Sequence, residues 1–315
     1  MKNDLPPLDL IVYRICPLPF QSRSNFTALT FPLFRPLLTT VEADSRCVFV
    51  GATLLNQPVA LGIAEIDQED QTRGEVLSIF VAPQHRRNGL GSKLLNMLEG
   101  AMAERGAQSG RLTYMTGLPQ TPALESMLSR GQWMEPRCRM MVCDGEFDQI
   151  IKAPWMRNRE LPPEFSMFPW SELTQAERQE IADRQATQQW YPEVLTPYRN
   201  EHLVEPAMSL GLRYKGEIVG WCIAHRLSVD TVRFASLFVR RDLQTVGRAV
   251  QLLANSIYLS VGTPIYKARF DVAMDNPGML RFIKTRMAPY LTNISYILRS
   301  HKRLQAAEQL EMKSA

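Results

Sequence analysis

An eighteen-residue stretch in the first half of the chain recurs 158 residues later, and this internal repeat constrains the fold more than any other feature of the sequence. Residues 78–95 (SIFVAPQHRRNGLGSKLL) align without a gap with residues 236–253 (SLFVRRDLQTVGRAVQLL). Six of the eighteen positions are identical, namely Ser78/Ser236, Phe80/Phe238, Val81/Val239, Gly89/Gly247, Leu94/Leu252 and Leu95/Leu253. In both copies an apolar run leads through a polar loop and a glycine into apolar residues at helical spacing, which predicts a strand, a turn and a helix.

The sequence around each copy predicts the same succession of elements. Two strand-like runs separated by a turn precede each copy, and a further strand and helix follow it. The segments are 48–57, 58–67, 111–116 and 123–128 in the first half, and 209–227, 265–274 and 278–283 in the second. In the first copy, Leu90, Leu94, Leu98 and Met102 would form one apolar helix stripe. The sequence therefore predicts two β-β-β-α-β-α units, an α/β (α+β) fold.

The length of 315 residues fits two domains of ordinary size. Residues 152–165 (KAPWMRNRELPPEF) combine prolines with charges and show neither helix nor strand periodicity, which predicts a linker. We accordingly expect an N-terminal domain over 1–151 and a C-terminal domain over 166–315. The polar stretch 301–315 predicts a frayed terminal helix.

The composition argues against several classes of function. The net charge of +4 is small and dispersed, so a nucleic-acid partner is not expected. There is no run of about 18 apolar residues, and we expect neither a membrane span nor a signal peptide. The five cysteines lack zinc or redox spacing, and the four histidines lack metal-ligand spacing. We expect a cytoplasmic protein with free thiols and without a metal.

The order of elements, together with the segment Arg86-Arg87-Asn88-Gly89-Leu90-Gly91, resembles the GNAT superfamily of N-acetyltransferases. That family carries Gln or Arg, two variable residues, Gly, one variable residue and then Gly or Ala at this strand-to-helix junction. The resemblance covers residues 47–143 well and 205–290 more loosely. It implies two tandem GNAT-like domains, each a mixed, mostly antiparallel sheet flanked by helices, and acetyl-CoA or a longer acyl-CoA as donor.

The glycine turn has chemistry that can be stated without the family. The first N–H groups of a helix have no intrahelical partner, and the helix dipole adds partial positive charge, so a pyrophosphate fits there. Glycines at the turn remove side chains that would block the anion. The candidate cofactor-binding residues are Arg86, Arg87, Asn88, Gly89, Leu90, Gly91 and Ser92. A purely structural turn is the alternative.

The strand before the turn contributes three more candidates. In the family this strand carries a bulge and pairs through its backbone with the pantetheine arm, which corresponds here to Ile79, Phe80 and Val81. A bulge separates a strand from its neighbour and makes room for a ligand. The alternative is an ordinary core strand, and both interpretations can hold because the contacts would use the main chain.

The resemblance also places the acid–base groups. In some members a glutamate six residues before the valine that ends this strand acts as general base, and Glu75 occupies that position. An edge-of-strand surface carboxylate is the equally weighted alternative. The family's usual general acid is a tyrosine in the later helix, where this chain has Met127.

The second copy departs further from the pattern. Gln244 to Ala249 still fit the glycine motif, but Arg233 replaces Glu75 and Ile283 stands where the tyrosine would be. We expect a degenerate copy that shapes the acceptor cleft, with an anion-binding site as the alternative.

The sequence thus predicts an acyltransferase that uses acyl-CoA and a primary amine of a small molecule, peptide or protein. The alternative is a catalytically silent module that binds CoA as a structural or regulatory ligand, or a protein-interaction scaffold. We expect no nucleic-acid or membrane partner, and a homodimer stays open.

Overall fold

The computed structural model describes residues 12–40, 46–157 and 159–305. Their strands are β1 (Arg14–Pro17), β2 (Cys47–Leu54), β3 (Gln57–Ile66), β4 (Arg73–Val81), β5 (Ser109–Met115), β6 (Arg137–Glu146), β7 (Phe165–Pro169), β8 (Leu210–Tyr214), β9 (Glu217–Arg226), β10 (Thr231–Val239), β11 (Lys267–Ala273) and β12 (Asn293–Arg303). Their α-helices are α1 (Phe20–Arg23), α2 (Arg35–Thr40), α3 (Leu90–Glu104), α4 (Thr121–Arg130), α5 (Phe147–Ile150), α6 (Gln175–Gln188), α7 (Arg248–Tyr258) and α8 (Pro277–Phe282).

The chain forms two compact units whose bounds do not follow chain order. The first unit runs through Cys138 and resumes at Ile297, and the second spans Arg139–Tyr296. Most of the last strand, β12, therefore belongs to the first unit, and most of β6 belongs to the second. The expected bounds of 1–151 and 166–315 cut the sequence once, so they could not include this exchange of strands.

Two local expectations differ from the structure for physical reasons. The expected linker 152–165 contains the 3-10 helix Pro154–Arg157, whose Trp155 and Met156 are buried in the core of the second unit. The expected terminal helix begins instead as strand, because residues up to Arg303 pair with β5. The remainder of that segment, 306–315, lies outside the described residues.

The first unit is a mixed, mostly antiparallel sheet with helices on both faces. Its strand order is β1-β2-β3-β4-β5-β12, and only β4 and β5 are parallel. Helix α3 packs on one face through the expected stripe of Leu90, Leu94, Leu98 and Met102, each at most 1% exposed. The opposite face is covered by the segment containing α1 and α2, which contributes Phe26 and Leu38 to a second core with Phe49 and Ile63.

The second unit repeats this plan. Its strand order is β6-β11-β10-β9-β8-β7, and only β10 and β11 are parallel. The expected hairpin turn is present at Lys215 and Gly216, which both have positive φ. Helix α7 packs on one face, and a cluster of aromatic side chains, including Trp170, Tyr191 and Trp221, covers the other.

Candidate functional site

The two parallel strands of the first unit pair only at their beginning. Arg73 to Val76 of β4 pair with Ser109 to Leu112 of β5, and within the described residues no strand pairs with this edge of β4 beyond Val76. The register between β3 and β4 shifts at Leu77, since Ser78 faces Ile63 while Val76 faces Ala64. The expected bulge is thus confirmed, and a wedge opens between β4 and β5 after Val76.

The exposed edge of the wedge offers main-chain groups in a defined order. The amide of Ala82 donates to Val59 O (2.9 Å), and antiparallel pairs alternate between bonded and non-bonded. The N–H and C=O groups of Phe80 therefore belong to the β3 ladder, whereas those of Ile79 and Val81 face the wedge. The Val81 carbonyl accepts a hydrogen bond from Arg86 Nε (3.0 Å). The edge thus offers both main-chain groups of Ile79 and the amide of Val81.

The glycine turn follows directly and is open. Arg87 (φ 67°) and Gly89 (φ 74°) adopt left-handed conformations, and α3 begins at Leu90 with no side chain capping it. Among the described residues, no protein acceptor bonds the amides of residues 87–92. A methyl group placed on Gly89 would meet nothing within 4 Å, and one on Gly91 would meet only Met127 Sδ, at 3.3 Å. Six backbone amides are therefore available to an anion at an unblocked helix start.

A residue that the motif does not include holds this turn in place. The Tyr13 hydroxyl lies 3.2 Å from His85 Nδ1 and accepts a hydrogen bond from Asn88 Nδ2, also 3.2 Å. Asn88 Nδ2 also lies within hydrogen-bond distance of the His85 carbonyl (3.3 Å). The side chains of Arg86 and Asn88 thus shape the turn, while Arg87 and Lys93 are exposed and have no ion pair within the described residues. No signal in the sequence connects Tyr13 to a turn 72 residues away.

Glu75 lies on the sheet face opposite α3, because its neighbours Gly74 and Val76 face that helix. Its Oε2 accepts from Arg111 Nε (2.6 Å) and its Oε1 accepts from Thr113 Oγ1 (3.1 Å). Arg111 also pairs with Asp67 (2.9 Å). The Glu75 side chain is 19% exposed, so its carboxylate is a partly buried, oriented acceptor and not a freely solvated surface group.

A turn with free amides beside an open strand edge is the geometry that the sequence resemblance implies. Residues 13–125 match the model of the Acetyltransferase (GNAT) family. This part of the chain is a domain of the GNAT family. Membership supports an acyl-CoA-dependent N-acyltransferase activity in general and leaves the acceptor unspecified.

Solved structures show that the GNAT fold occurs in tandem in this chain. A tandem GNAT protein from the clavulanic acid biosynthesis pathway has a TM-score of 0.62 at 14% identity, covering 94% of this chain and 100% of that chain. A GCN5-related N-acetyltransferase from Sphaerobacter thermophilus has a TM-score of 0.60 at 16% identity, covering 93% and 96%. A glucosamine N-acetyltransferase region in a fungal multi-domain GH3 beta-N-acetylglucosaminidase has a TM-score of 0.62 at 14% identity, covering 95% of this chain and 39% of that chain. No curated protein sequence matches the chain.

The helix that carries the usual GNAT acid has no hydroxyl at the expected position. Met127 is 9% exposed and its sulfur lies against Gly91, so it helps to form the floor of the turn. The buried tyrosine nearby in sequence, Tyr114 of β5, donates to Glu125 Oε1 (3.3 Å). Burial, together with Glu125, raises the pKa of Tyr114 to about 12.

The glycine turn of the second GNAT unit has a similar backbone but different surroundings. Gly247 (φ 73°) precedes α7, and Gln244 Nε2 donates to the Val239 carbonyl (2.6 Å), as Arg86 does to Val81. Here, however, the glycine amide donates to the Gln244 carbonyl (3.3 Å). The side chain of Gln251, which aligns with exposed Lys93, is 4% exposed and donates to the Glu160 carbonyl (2.7 Å).

Two absences complete the description of the site. The described residues contain no group of three or more His, Cys, Asp or Glu side chains that could hold a metal ion. None of the helices formed by the described residues is both long and apolar enough to cross a membrane.

Proposed function

We propose that the first GNAT unit binds acyl-CoA and transfers its acyl group to a primary amine of a small molecule, peptide or protein. The observation that carries this proposal is the row of unbonded amides at residues 87–92 beside the open edge of β4. Amides at a helix start suit a pyrophosphate, and Arg87 and Lys93 add positive charge. Ile79 and Val81 offer the strand-like main-chain groups that the amides of a pantetheine arm would need.

Acyl-CoA, when bound, supplies an acyl group on a thioester, which is reactive toward a neutral amine. The protein must hold the amine near the wedge and remove its proton. Glu75 stands on the face opposite α3, at the last paired residues before the wedge opens. Because both of its oxygens already accept hydrogen bonds, we propose that Glu75 acts through a water, which takes the proton from the amine and passes one of its own to the carboxylate.

Met127 favours a second candidate, in which the same unit binds CoA without turnover. A hydroxyl at this position would reprotonate the thiolate in the usual family mechanism, and a thioether cannot. We give precedence to the enzyme because a CoA thiolate needs no acid to leave at neutral pH, so that loss of the acid would slow the reaction without stopping it.

Titration of the intact chain with CoA, acetyl-CoA and longer acyl-CoAs tests both candidates. Ligand at one hundred times its Kd should stabilise the protein by about 2.7 kcal/mol, and isothermal titration should give one site per chain. Incubation of the loaded protein with an amine panel then separates the two. Stabilisation without acylation of any amine would support the silent module, and no stabilisation by any CoA species would remove both.

A further inference from the structure

The last strand of the chain brings an arginine to the mouth of the wedge. Arg299 of β12 lies directly opposite Thr113 of β5, and Arg299 Nε donates to Thr113 Oγ1 (3.0 Å). Thr113 in turn donates to Glu75 Oε1 (3.1 Å). Thr113 is one residue beyond Leu112, the last β5 residue that pairs with β4. Arg299 and Glu75 therefore share the sheet face opposite α3, joined by one hydroxyl.

Arg299 differs from its neighbour Arg111 in having no carboxylate as an ion-pair partner among the described residues. Arg111 pairs with both Glu75 and Asp67, whereas across the described parts of the chain no carboxylate lies within ion-pair distance of Arg299. Its side chain is partly buried, and within the residues that the structure describes only one of its five N–H donors has an acceptor. A partly buried guanidinium without a counter-ion is costly, and its planar fork matches an oxyanion.

The segment around Thr30 lies on the same face of the sheet as Glu75, further along β4. Thr30 Oγ1 donates to the buried Ser78 hydroxyl just beyond the bulge (3.2 Å). The loop that follows Thr30 exposes Phe31 (61%) and Leu33 (78%). An acceptor entering on this face would meet the Glu75 carboxylate and the Arg299 guanidinium.

We propose that Arg299 binds an oxyanionic group, carboxylate or phosphate, on the acceptor, so that the acceptor is an amine that also carries an acid group. This inference rests on the proposed acyltransferase function and names the acceptor class for it. Arg299 fixes the acid group of the acceptor, and the Thr113 hydroxyl links that position to Glu75, which serves the amine.

Matched pairs of amines test the inference in the CoA-loaded protein. The panel comprises the proteinogenic L-amino acids with their amides, including glycine, L-leucine and L-phenylalanine, and O-phosphoethanolamine with ethanolamine. Both binding, by isothermal titration in the presence of CoA, and acyl transfer from acetyl-CoA are measured. We expect at least one acid to bind and react at least tenfold better than its neutral partner.

Arg299→Gln is then compared with Arg303→Gln, which removes an exposed arginine from the same strand. For the preferred acid, Arg299→Gln should raise the acceptor KM and Kd about tenfold to a hundredfold, the effect of losing a charge-assisted bond, and Arg299→Lys should restore part of it. The Kd for CoA and the kcat at saturating acceptor should stay within about twofold in both variants.

Three results would overturn the inference. The first is that neutral amines bind as well as the corresponding acids. The second is that Arg299→Gln and Arg303→Gln have equal effects on the acceptor KM and Kd. The third is a loss of CoA affinity in Arg299→Gln, which would show that this arginine binds the donor. Failure of the proposed function looks different, because the chain would then bind no CoA species or would acylate no amine. The acceptor-binding arm still reports on Arg299 if only turnover is missing. Preference for O-phosphoethanolamine over the amino acids would identify the acid group as phosphate.

Discussion

The two glycine turns of this chain share the left-handed conformation of their glycines and differ in nearly every side chain that could serve chemistry. Gly89 and Gly247 have φ values of 74° and 73°, and each turn is secured by a side chain that donates to the carbonyl ending the strand before it. Both strands also carry a register shift and leave their parallel neighbour early. The repeat has thus kept the frame that presents a helix start beside a wedge.

The charged groups beside the two wedges are rearranged. At the offset of 158, Glu75 is replaced by Arg233 and Thr113 by Asp271, and these two replacements pair with each other (2.7 Å). Burial raises the pKa of the Asp271 carboxyl, while Arg233 acts in the opposite direction. The second unit therefore satisfies its charges internally, whereas the first leaves Arg299 without a carboxylate.

The packing on the face opposite the helix also differs between the two units. Trp221, opposite Phe238, is fully buried and donates to Ser236 Oγ (3.0 Å), which itself donates to the Leu195 carbonyl (2.6 Å). The residue opposite Phe80 in the first unit is Leu61, which is smaller, and Ser78 accepts a hydrogen bond from Thr30. The comparison indicates that the second unit packs a larger, hydrogen-bonded side chain at a position where the first unit packs a leucine.

The sharpest way to break this comparison is to place the same substitution in both turns. Gly89→Glu should weaken CoA binding roughly a thousandfold, because it sets a carboxylate among amides that would hold a pyrophosphate, whereas Gly247→Glu should change the Kd by less than about threefold. Both glycines have a left-handed φ and open space around them, so the backbone strain is matched. Isothermal titration with CoA measures the difference. A greater loss of CoA affinity in Gly247→Glu than in Gly89→Glu would show that the donor site lies in the second unit and that our assignment is wrong.

The second test uses the exchanged charges. Glu75→Gln keeps the shape and a hydrogen-bond acceptor for Arg111 but removes the negative charge, and we expect kcat at saturating acyl-CoA to fall about a hundredfold. Arg233→Gln, at the corresponding position of the second unit, should leave kcat unchanged. An unchanged CoA Kd in both variants would show that the fold is intact. Full activity of Glu75→Gln would show that Glu75 only holds Arg111 in position and takes no part in proton transfer.

The sequence predicted those parts of the site that are formed by residues close together in the chain. The internal repeat made this possible, because both copies show the same succession of strand, turn and helix. The glycine turn, the helix stripe and the strand with its bulge all lie within about thirty residues of one another, where spacing determines geometry. The exchange of β6 and β12 was not predictable, because strand partners far apart in sequence are chosen by tertiary pairing. Arg299 and Thr113 show this directly, since they are neighbours 186 residues apart. Tyr13 was not predicted for the same reason. The hydrogen bonds of Glu75 could not be predicted either, because both of its partners lie on β5.

The smallest expected effect concerns how the first turn is held. Tyr13→Phe keeps the edge-on ring contact with His85 (centroids 5.8 Å apart) but removes the hydroxyl that joins His85 to Asn88. Losing a hydrogen bond of this kind costs about 1 kcal/mol, so the Kd for CoA should rise about fivefold. The kcat at saturating acyl-CoA should not change, because the hydroxyl orders the turn and does not contact the wedge. A fall in kcat at unchanged Kd would instead place Tyr13 in the chemistry. In the second turn, Gln244 donates to the strand carbonyl and has no tyrosine among its hydrogen-bond partners in the described part of the chain. A raised Kd for CoA at an unchanged kcat would therefore show that the additional bond made by Tyr13 contributes to ligand binding.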